Sequence, residues 1–330
     1  MTNVAGRQRE PFTVSVVIPL YNKAPFIRAT LHSVLGQTHP AEEIIIVDDG
    51  STDSGPEDIN DLLGDRIRLV RQDNAGPGPA RNRGIAEANY PWVAFIDADD
   101  LWRSNHLQTV ADLNAAFPDA DALSTSFERV DARDSLRAAA QTDTAGAGSL
   151  IDYFDLDPTA RMMWTSCVAV RRFACQSVGS FAPFVPGEDA DLWVRLALDH
   201  PIAASQRTTA IYTQRTGGIM DAVDRWKNVG FRLHPIFATL DRALGEPRYT
   251  DQHASMRRYR ARLLKTNIRQ ALYRGEAAAA RAYIAELDRN GRTSLGVMRP
   301  LSFLPGALLR GIMLARSRIL HSRPPQSEVA

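Results

Sequence analysis

The chain has 330 residues, 44% of them hydrophobic, with 39 basic against 38 acidic side chains. That is enough for one large α/β core plus a satellite, or about two domains, and the near-zero net charge excludes a chain-wide attraction to nucleic acid. Cys167 and Cys175, with no Cys or His cluster around them in zinc spacing, read as reduced core thiols; the opening MTNVAGRQREPF lacks the apolar stretch of a secretory signal and no N-x-[ST] site occurs, so a cytoplasmic location is expected.

In chain order, Val14 to Ile18, Ile44 to Val47, Ile67 to Val70 and Val93 to Ile96 are short, mostly β-branched runs. Between them the spacing predicts helices near 25–36, 53–63 and 78–89, the first carrying Phe26, Ile27, Leu31, Val34 and Leu35 on one face. Strands buried on both faces read as continuous apolar runs, so this βαβαβαβ rhythm predicts a doubly wound, mostly parallel sheet flanked by helices. In such sheets ligands bind beyond the carboxyl ends of the strands. Polar residues collect there: the first run ends in Pro19-Leu20-Tyr21-Asn22, the second in Asp48 to Asp53, and the fourth in Asp97, Asp99 and Asp100.

A dinucleotide site is not indicated. The nearest glycine cluster, Gly76-Pro77-Gly78-Pro79-Ala80-Arg81, has Arg where the third glycine belongs and does not follow the first strand, and no Walker P-loop occurs. Three carboxylates within four positions repel one another unless a cation sits among them. Hard ions such as Mg²⁺ or Mn²⁺ take oxygen ligands and share them with substrate phosphates. A divalent metal bridging a diphosphate is therefore expected at this turn.

Further along, a helix is expected at 103–117, with Asp100 as its cap. Residues 131 to 149, rich in Ala, Asp, Gly and Thr, lack periodicity and suggest an exposed excursion. Glu188 and Asp189 open an acidic first turn ahead of Leu192, Trp193, Leu196 and Ala197. Helical patterns then cover 222–245, 251–273 and 276–289, with Gly291 as a C-cap. They fit either an appendage or a homo-oligomer contact. Residues 291–330 carry a net charge of +5, and Leu301, Leu304, Leu308, Ile312, Ala315 and Ile319 recur at helical spacing. Arginines interrupt that run, which rules out a spanning helix. A basic amphipathic helix over 300–320 touching a membrane surface and a core-packed final helix both fit.

Taken in order, VSVVIPLYNK, EEIIIVDDGSTD, NAGPGPARNRGI, VAFIDADD and GEDADLWVRL resemble the family 2 glycosyltransferases, inverting enzymes of the GT-A fold. The resemblance covers roughly residues 12 to 215. It implies a catalytic domain over 1–220, with a donor-binding half at about 12–102 and an acceptor-binding half at about 103–220, followed by a helical region over 221–330. It also implies a nucleotide-diphosphate sugar donor, UDP-sugars being the modal guess, a carbohydrate or lipid-linked acceptor, and Mn²⁺ or Mg²⁺.

Roles follow position by position from the same resemblance. Tyr21 would stack on the donor's base with Pro19 and Asn22 beside it; Asp49 would accept from the base N–H, and Arg81 would contact the donor. Asp97 would approach the ribose, Asp99 the metal, and Asp189, paired with Glu188, would be the base. Acceptor-facing elements come later, so Trp164 to Val170 is expected as a strand, with Trp164 either a sugar platform or, the better reading, a core aromatic. Tyr212 and Arg215 fall where a loop would close over the donor. The long processive members' Q-x-x-R-W motif and membrane helices are missing, which points to transfer of one sugar, with the enzyme at the inner face of the cell membrane if its acceptor is lipid-linked.

Plainer readings compete. Asp48, Asp49, Ser51 and Asp53 also suit a turn and the N-cap of the next helix, Arg81 a surface cation, and Asp191 the outside of a helix. Two other functions share the fold. A nucleotidyltransferase ordinarily opens with a glycine-rich basic loop after strand one, where this chain has PLYNK. A non-catalytic sugar-nucleotide scaffold needs Asp49 and Asp99 but not the Glu188-Asp189 pair.

Overall fold

A computed structural model describes residues 11–143, 146–156, 162–183, 187–214, 216, 234–289, 295, 298–305 and 308. The chain divides into two compact units, 1–221 and 222–330.

In the first unit the order is β1 (Val14–Leu20), α1 (Ala24–Leu35), β2 (Glu43–Asp48), β3 (Ile67–Arg71), α2 (Pro77–Glu87), β4 (Trp92–Phe95), β5 (Leu101–Trp102), α3 (His106–Ala116), β6 (Ala122–Asp131), α4 (Ser135–Ala139), β7 (Gly148–Ile151), β8 (Val168–Arg171), α5 (Arg172–Ser177), α6 (Glu188–Asp199) and β9 (Ile202–Gln214). One mixed sheet runs β3-β2-β1-β4-β8-β6-β9-β5, with β7 added on β9. β1 through β4 are parallel, as their apolar runs predict. Val14, Val16, Val17, Ile18 and Leu20 of β1 are buried completely, each contributing about 1.5–3 kcal/mol of apolar transfer as an upper estimate. Gly84 lets α2 lie against β1: a Cβ there would stand 2.3 Å from a Val17 methyl.

The second half departs from the parallel plan. β8 is antiparallel to both β4 and β6, while β6 and β9 run parallel. The carboxyl ends of β1, β2, β4 and β9 therefore share one rim with the amino end of β8.

Four local expectations are corrected. The segment 53–63 forms only a 3-10 turn, Glu57–Leu62, in which Ile59 alone is buried. Asp53 caps a different helix, accepting Ala24 N–H of α1 at 2.8 Å. Trp164 to Val170 is not a single strand, because Thr165–Cys167 is a 3-10 turn and the strand starts at Val168. Residues 131–149 are less irregular than their composition suggests, since they include α4 and the start of β7, which pairs with β9.

In the second unit the described helices are α7 (Ile236–Leu244), α8 (His253–Arg274), α9 (Ala277–Asp288) and α10 (Met298–Leu301). Residues 222–233, the proposed cap Gly291 and most of 300–320 lie outside the described residues. Among the described residues no helix is long and apolar enough to cross a membrane.

Candidate active site

The acidic turn after β4 is built from three directions. From α1, the Thr30 hydroxyl donates to the carbonyls of Ala98 and Asp100, at 2.9 and 2.8 Å. From the turn before β8, the Ser166 hydroxyl accepts Asp97 N–H at 3.1 Å and donates to Asp100 Oδ2 at 2.5 Å. From β9, Thr213 N–H donates to Asp100 Oδ1 at 3.0 Å.

Each of the three carboxylates has a different fate. Asp100 is buried, and burial, together with the charges of Asp99 and Asp97, holds its pKa well above the ordinary carboxylate range. It is neither a bystander nor the cap of α3, whose N-cap position is Asn105. Asp97 pairs with Arg81, Nη2 to Oδ1 at 2.6 Å. Asp99 pairs with Lys23, whose ammonium lies 2.5 Å from Oδ2, while the Thr216 hydroxyl donates to the same oxygen at 2.5 Å. The mutual repulsion that pointed to a metal among all three acids is thus relieved largely by the chain's own cations and by burial. Asp99 differs from the other two in that its partner is a lysine rather than the buried Arg81 or a set of hydrogen bonds.

Arg81 is not a surface cation. Its side chain is 5% exposed, lies over the Phe181 ring at 5.3 Å, and reaches from Asp97 to Glu188, Nη1 to Oε1 at 2.8 Å. Burial would lower its pKa, but Asp97 and Glu188 more than reverse that, so it stays charged. Its Nε is buried without a hydrogen-bond partner. Glu188 is buried too; burial raises its pKa, and Arg81 offsets part of the rise.

Asp189 is half-buried on the first turn of α6. The Thr165 hydroxyl donates to its Oδ2 at 3.0 Å and Ala190 N–H to its Oδ1 at 2.7 Å. The two acids therefore differ: Glu188 is locked under Arg81, and Asp189 is the more accessible. Gly187, at φ 100°, makes the left-handed bend that leads into this turn. Asp191 is buried and bonds Arg195 at 2.8 Å, so it is not helix surface.

On the β1–β2 side, Tyr21 is 48% exposed and Pro19 half-buried. Asn22, at φ 52°, accepts Thr52 N–H at 2.7 Å and ties the two loops together. Asp48 accepts Ser51 N–H at 2.9 Å, a turn role. Asp49 is buried and receives Gln72 Nε2 and Ala75 N–H on Oδ1, and Gly76 N–H on Oδ2, at 2.7, 2.9 and 2.8 Å. It holds the loop leading into α2, and Oδ2 keeps a second lone pair.

The acceptor side is less as expected. Trp164 is half-buried against Tyr212 and Phe127, with ring centroids 4.7 and 5.7 Å away, and its Nε1 is buried without a partner. Tyr212 belongs to β9 rather than to a loop, and Arg215 lies outside the described residues.

Lys23, Thr165, Ser166 and Thr216 were missed from sequence. Lys23 had a signal, as a lone cation at the end of PLYNK on the acid-rich rim. Thr165-Ser166 had a weaker one, as two hydroxyls interrupting an apolar run.

Among the described residues no group of three His, Cys, Asp or Glu could hold a metal on its own. Mg²⁺ and Mn²⁺ use one or two carboxylates and complete their shell with water and substrate phosphate. Asp99 is a hard oxygen donor at a strand-end rim, of the type that such a site uses.

Comparison with known proteins gives the family and the fold. The model of the family described as glycosyl transferase family 2 matches residues 15–179. The minor teichoic acid biosynthesis protein GgaA of Bacillus subtilis is 36% identical over 106 residues, covering 30% of this chain and 24% of that protein. The chain matches between about a quarter and two fifths of the length of such curated relatives. In structure, S. aureus TarS 1-349 in complex with UDP-GlcNAc aligns with TM-score 0.61 at 18% identity, covering 93% of this chain and 92% of that one. The mannosyltransferase PcManGT of Pyrobaculum calidifontis, in complex with GDP-Man and Mn²⁺, aligns with TM-score 0.54 at 20% identity, covering 94% and 81%. Both likenesses show a shared GT-A fold.

Proposed function

Because the chain belongs to glycosyl transferase family 2, we propose that it moves one sugar from a nucleotide-diphosphate donor to an acceptor hydroxyl, with inversion, in polysaccharide or glycoconjugate assembly. A UDP-sugar is the working donor, in keeping with the UDP-GlcNAc complex of TarS. The observation that carries this reading is the Arg81 clamp. One buried guanidinium holds Asp97, at the end of β4, and Glu188, at the start of α6, so donor-side and acceptor-side acids meet on one rim.

Tyr21 offers its exposed ring to the base, and Asp49 its remaining Oδ2 lone pair to a base N–H. Arg81 acts as a positioning residue. It fixes Asp97 toward the ribose and keeps Glu188 turned away, leaving Asp189 as the accessible carboxylate. A single displacement at the anomeric carbon needs a base on the face opposite the leaving diphosphate. Asp189 takes the acceptor's proton there, oriented by Thr165. Asp99 would hold Mg²⁺ or Mn²⁺, which supplies Lewis-acid stabilisation of the leaving diphosphate. The acceptor, a carbohydrate or a lipid-linked one at the inner membrane face, belongs to the same reading, as do membrane contact through 300–320 and self-association.

Calorimetric titration with UDP, GDP and dTDP, each in Mn²⁺ and in EDTA, tests the donor half. Metal-dependent binding of one nucleotide is expected. Absence of binding by all three would overturn the nucleotide-diphosphate donor, for an enzyme and for a sugar-nucleotide scaffold alike.

A further inference from the structure

We propose that Lys23 is an exchangeable cation: it neutralises Asp99 while the site is free and moves to the donor's diphosphate when metal and nucleotide enter. The inference rests on the reading of Asp99 as the metal ligand. It begins from a contact that the expected chemistry does not require. The ammonium of Lys23 lies 2.5 Å from Asp99 Oδ2 and 3.2 Å from both the carbonyl and the hydroxyl of Thr216. Thr216 donates its hydroxyl to the same Asp99 oxygen. One oxygen of the carboxylate that would hold the metal is therefore already engaged by a lysine and a hydroxyl, with both charged side chains about 15% exposed (14% for Lys23, 15% for Asp99).

A divalent ion that takes this oxygen, or both oxygens of Asp99, displaces that ammonium, and one on the other oxygen still repels it at close range. The displaced charge is then costly to leave unpaired where water is scarce. The other carboxylates of the turn offer it no home, since Asp97 is held by Arg81 and Asp100 is buried under Ser166 and Thr213. An anion must come with the metal, and charge balance says which. Asp99 and a diphosphate diester together carry three negative charges, and a divalent metal supplies two positive ones. The remaining negative charge is what one lysine neutralises. Lysine also suits the move: it is a compact charge with three donors on a four-carbon stem, and phosphate accepts it in any orientation. Lys23 directly follows Asn22 and stands three residues after β1, so the backbone it swings from is anchored by the sheet and by the Asn22 bond to Thr52.

A purely structural Lys23–Asp99 pair and an exchanging one differ in sign. In Lys23→Met, Mn²⁺ alone should bind roughly three- to tenfold tighter, because its competitor is gone. The nucleotide, in saturating Mn²⁺, should bind about tenfold weaker, because a phosphate contact is gone. Thr216→Val, which changes no charge, should tighten Mn²⁺ binding by a smaller factor. Calorimetry of Mn²⁺, then of UDP in Mn²⁺, reads all of these without turnover; GDP or dTDP replaces UDP if it is the nucleotide that the unaltered protein binds. The proposal is overturned if the two Lys23→Met affinities move in the same direction, or if Mn²⁺ affinity does not rise. Asp99→Ala separates the two ideas. Loss of Mn²⁺ binding there with an unmoved Lys23→Met sinks only the exchange, whereas Mn²⁺ binding that survives, or a protein that binds none of the nucleotides, sinks the metal or donor assignment and the exchange with it.

Discussion

Each unit of this protein buries one arginine between two carboxylates and beneath an aromatic ring, yet the two clusters are finished differently. In the second unit Arg260 lies over Phe237 at 5.5 Å. It gives Nε to Asp241 at 2.7 Å and Nη2 to Glu286 at 2.5 Å, and Arg289 adds a bond to the other oxygen of Glu286. That network joins α7, α8 and α9, and the acids it holds are fully engaged. On the rim of the first unit Arg81 lies over Phe181, but its Nε is left without a partner, and it bonds Asp97 through Oδ1 alone, whereas Arg260 bonds both oxygens of Asp241. A satisfied buried network is a strut. One left partly unsatisfied at a strand-end rim, where ligands bind, is a site kept ready for something else.

The sharpest way to break that contrast is at Asp189, the acid that neither arginine holds. Asp189→Asn should lower turnover by about 10²–10⁴-fold, the usual worth of a positioned general base, with nucleotide affinity nearly unchanged. An equal loss of nucleotide affinity in calorimetry would make the carboxylate a structural one.

Next comes the arginine pair itself. Arg260→Met leaves Glu286 buried beside one remaining partner and should cost about 3–5 kcal/mol of stability, with turnover per folded molecule unaltered. Arg81→Met should cost a similar amount, since it strands buried Glu188, but should also reduce the turnover of whatever protein stays folded. Denaturant melts run alongside kinetics on the folded fraction separate the two, and equal kinetic effects would erase the distinction between strut and site.

The smallest effect belongs to Tyr21, which is 48% exposed in the free protein. Tyr21→Ala should leave stability within about 0.5 kcal/mol while weakening nucleotide binding by about 1–3 kcal/mol, the measured range for a base on an aromatic ring. Unchanged nucleotide affinity would move the base elsewhere on the rim.

Much of the first unit was legible because its physics is local. Four β-branched runs separated by helical spacing dictate parallel strands, and parallel strands put Tyr21, Asp49 and Asp97 at the same edge whatever follows. The second half was harder to read. β8 runs antiparallel to β4, and nothing in VAVR states its direction, so the turn Thr165–Cys167 could not be placed beside the acids beforehand. For the same reason the hydroxyls of Ser166 and Thr165 carried no visible role, and Tyr212 looked like loop when it is strand.

Chain order alone carries the family motifs, the parallel core and the identity of the acids, because β-branching, helical spacing and strand-end polarity act over a few residues. Which partner each acid finds is set in the folded chain. Arg81 went to Asp97 and Glu188, Lys23 to Asp99, and burial kept Asp100 from ionising readily. Partner choice among like charges depends on distance and desolvation, which chain order does not encode.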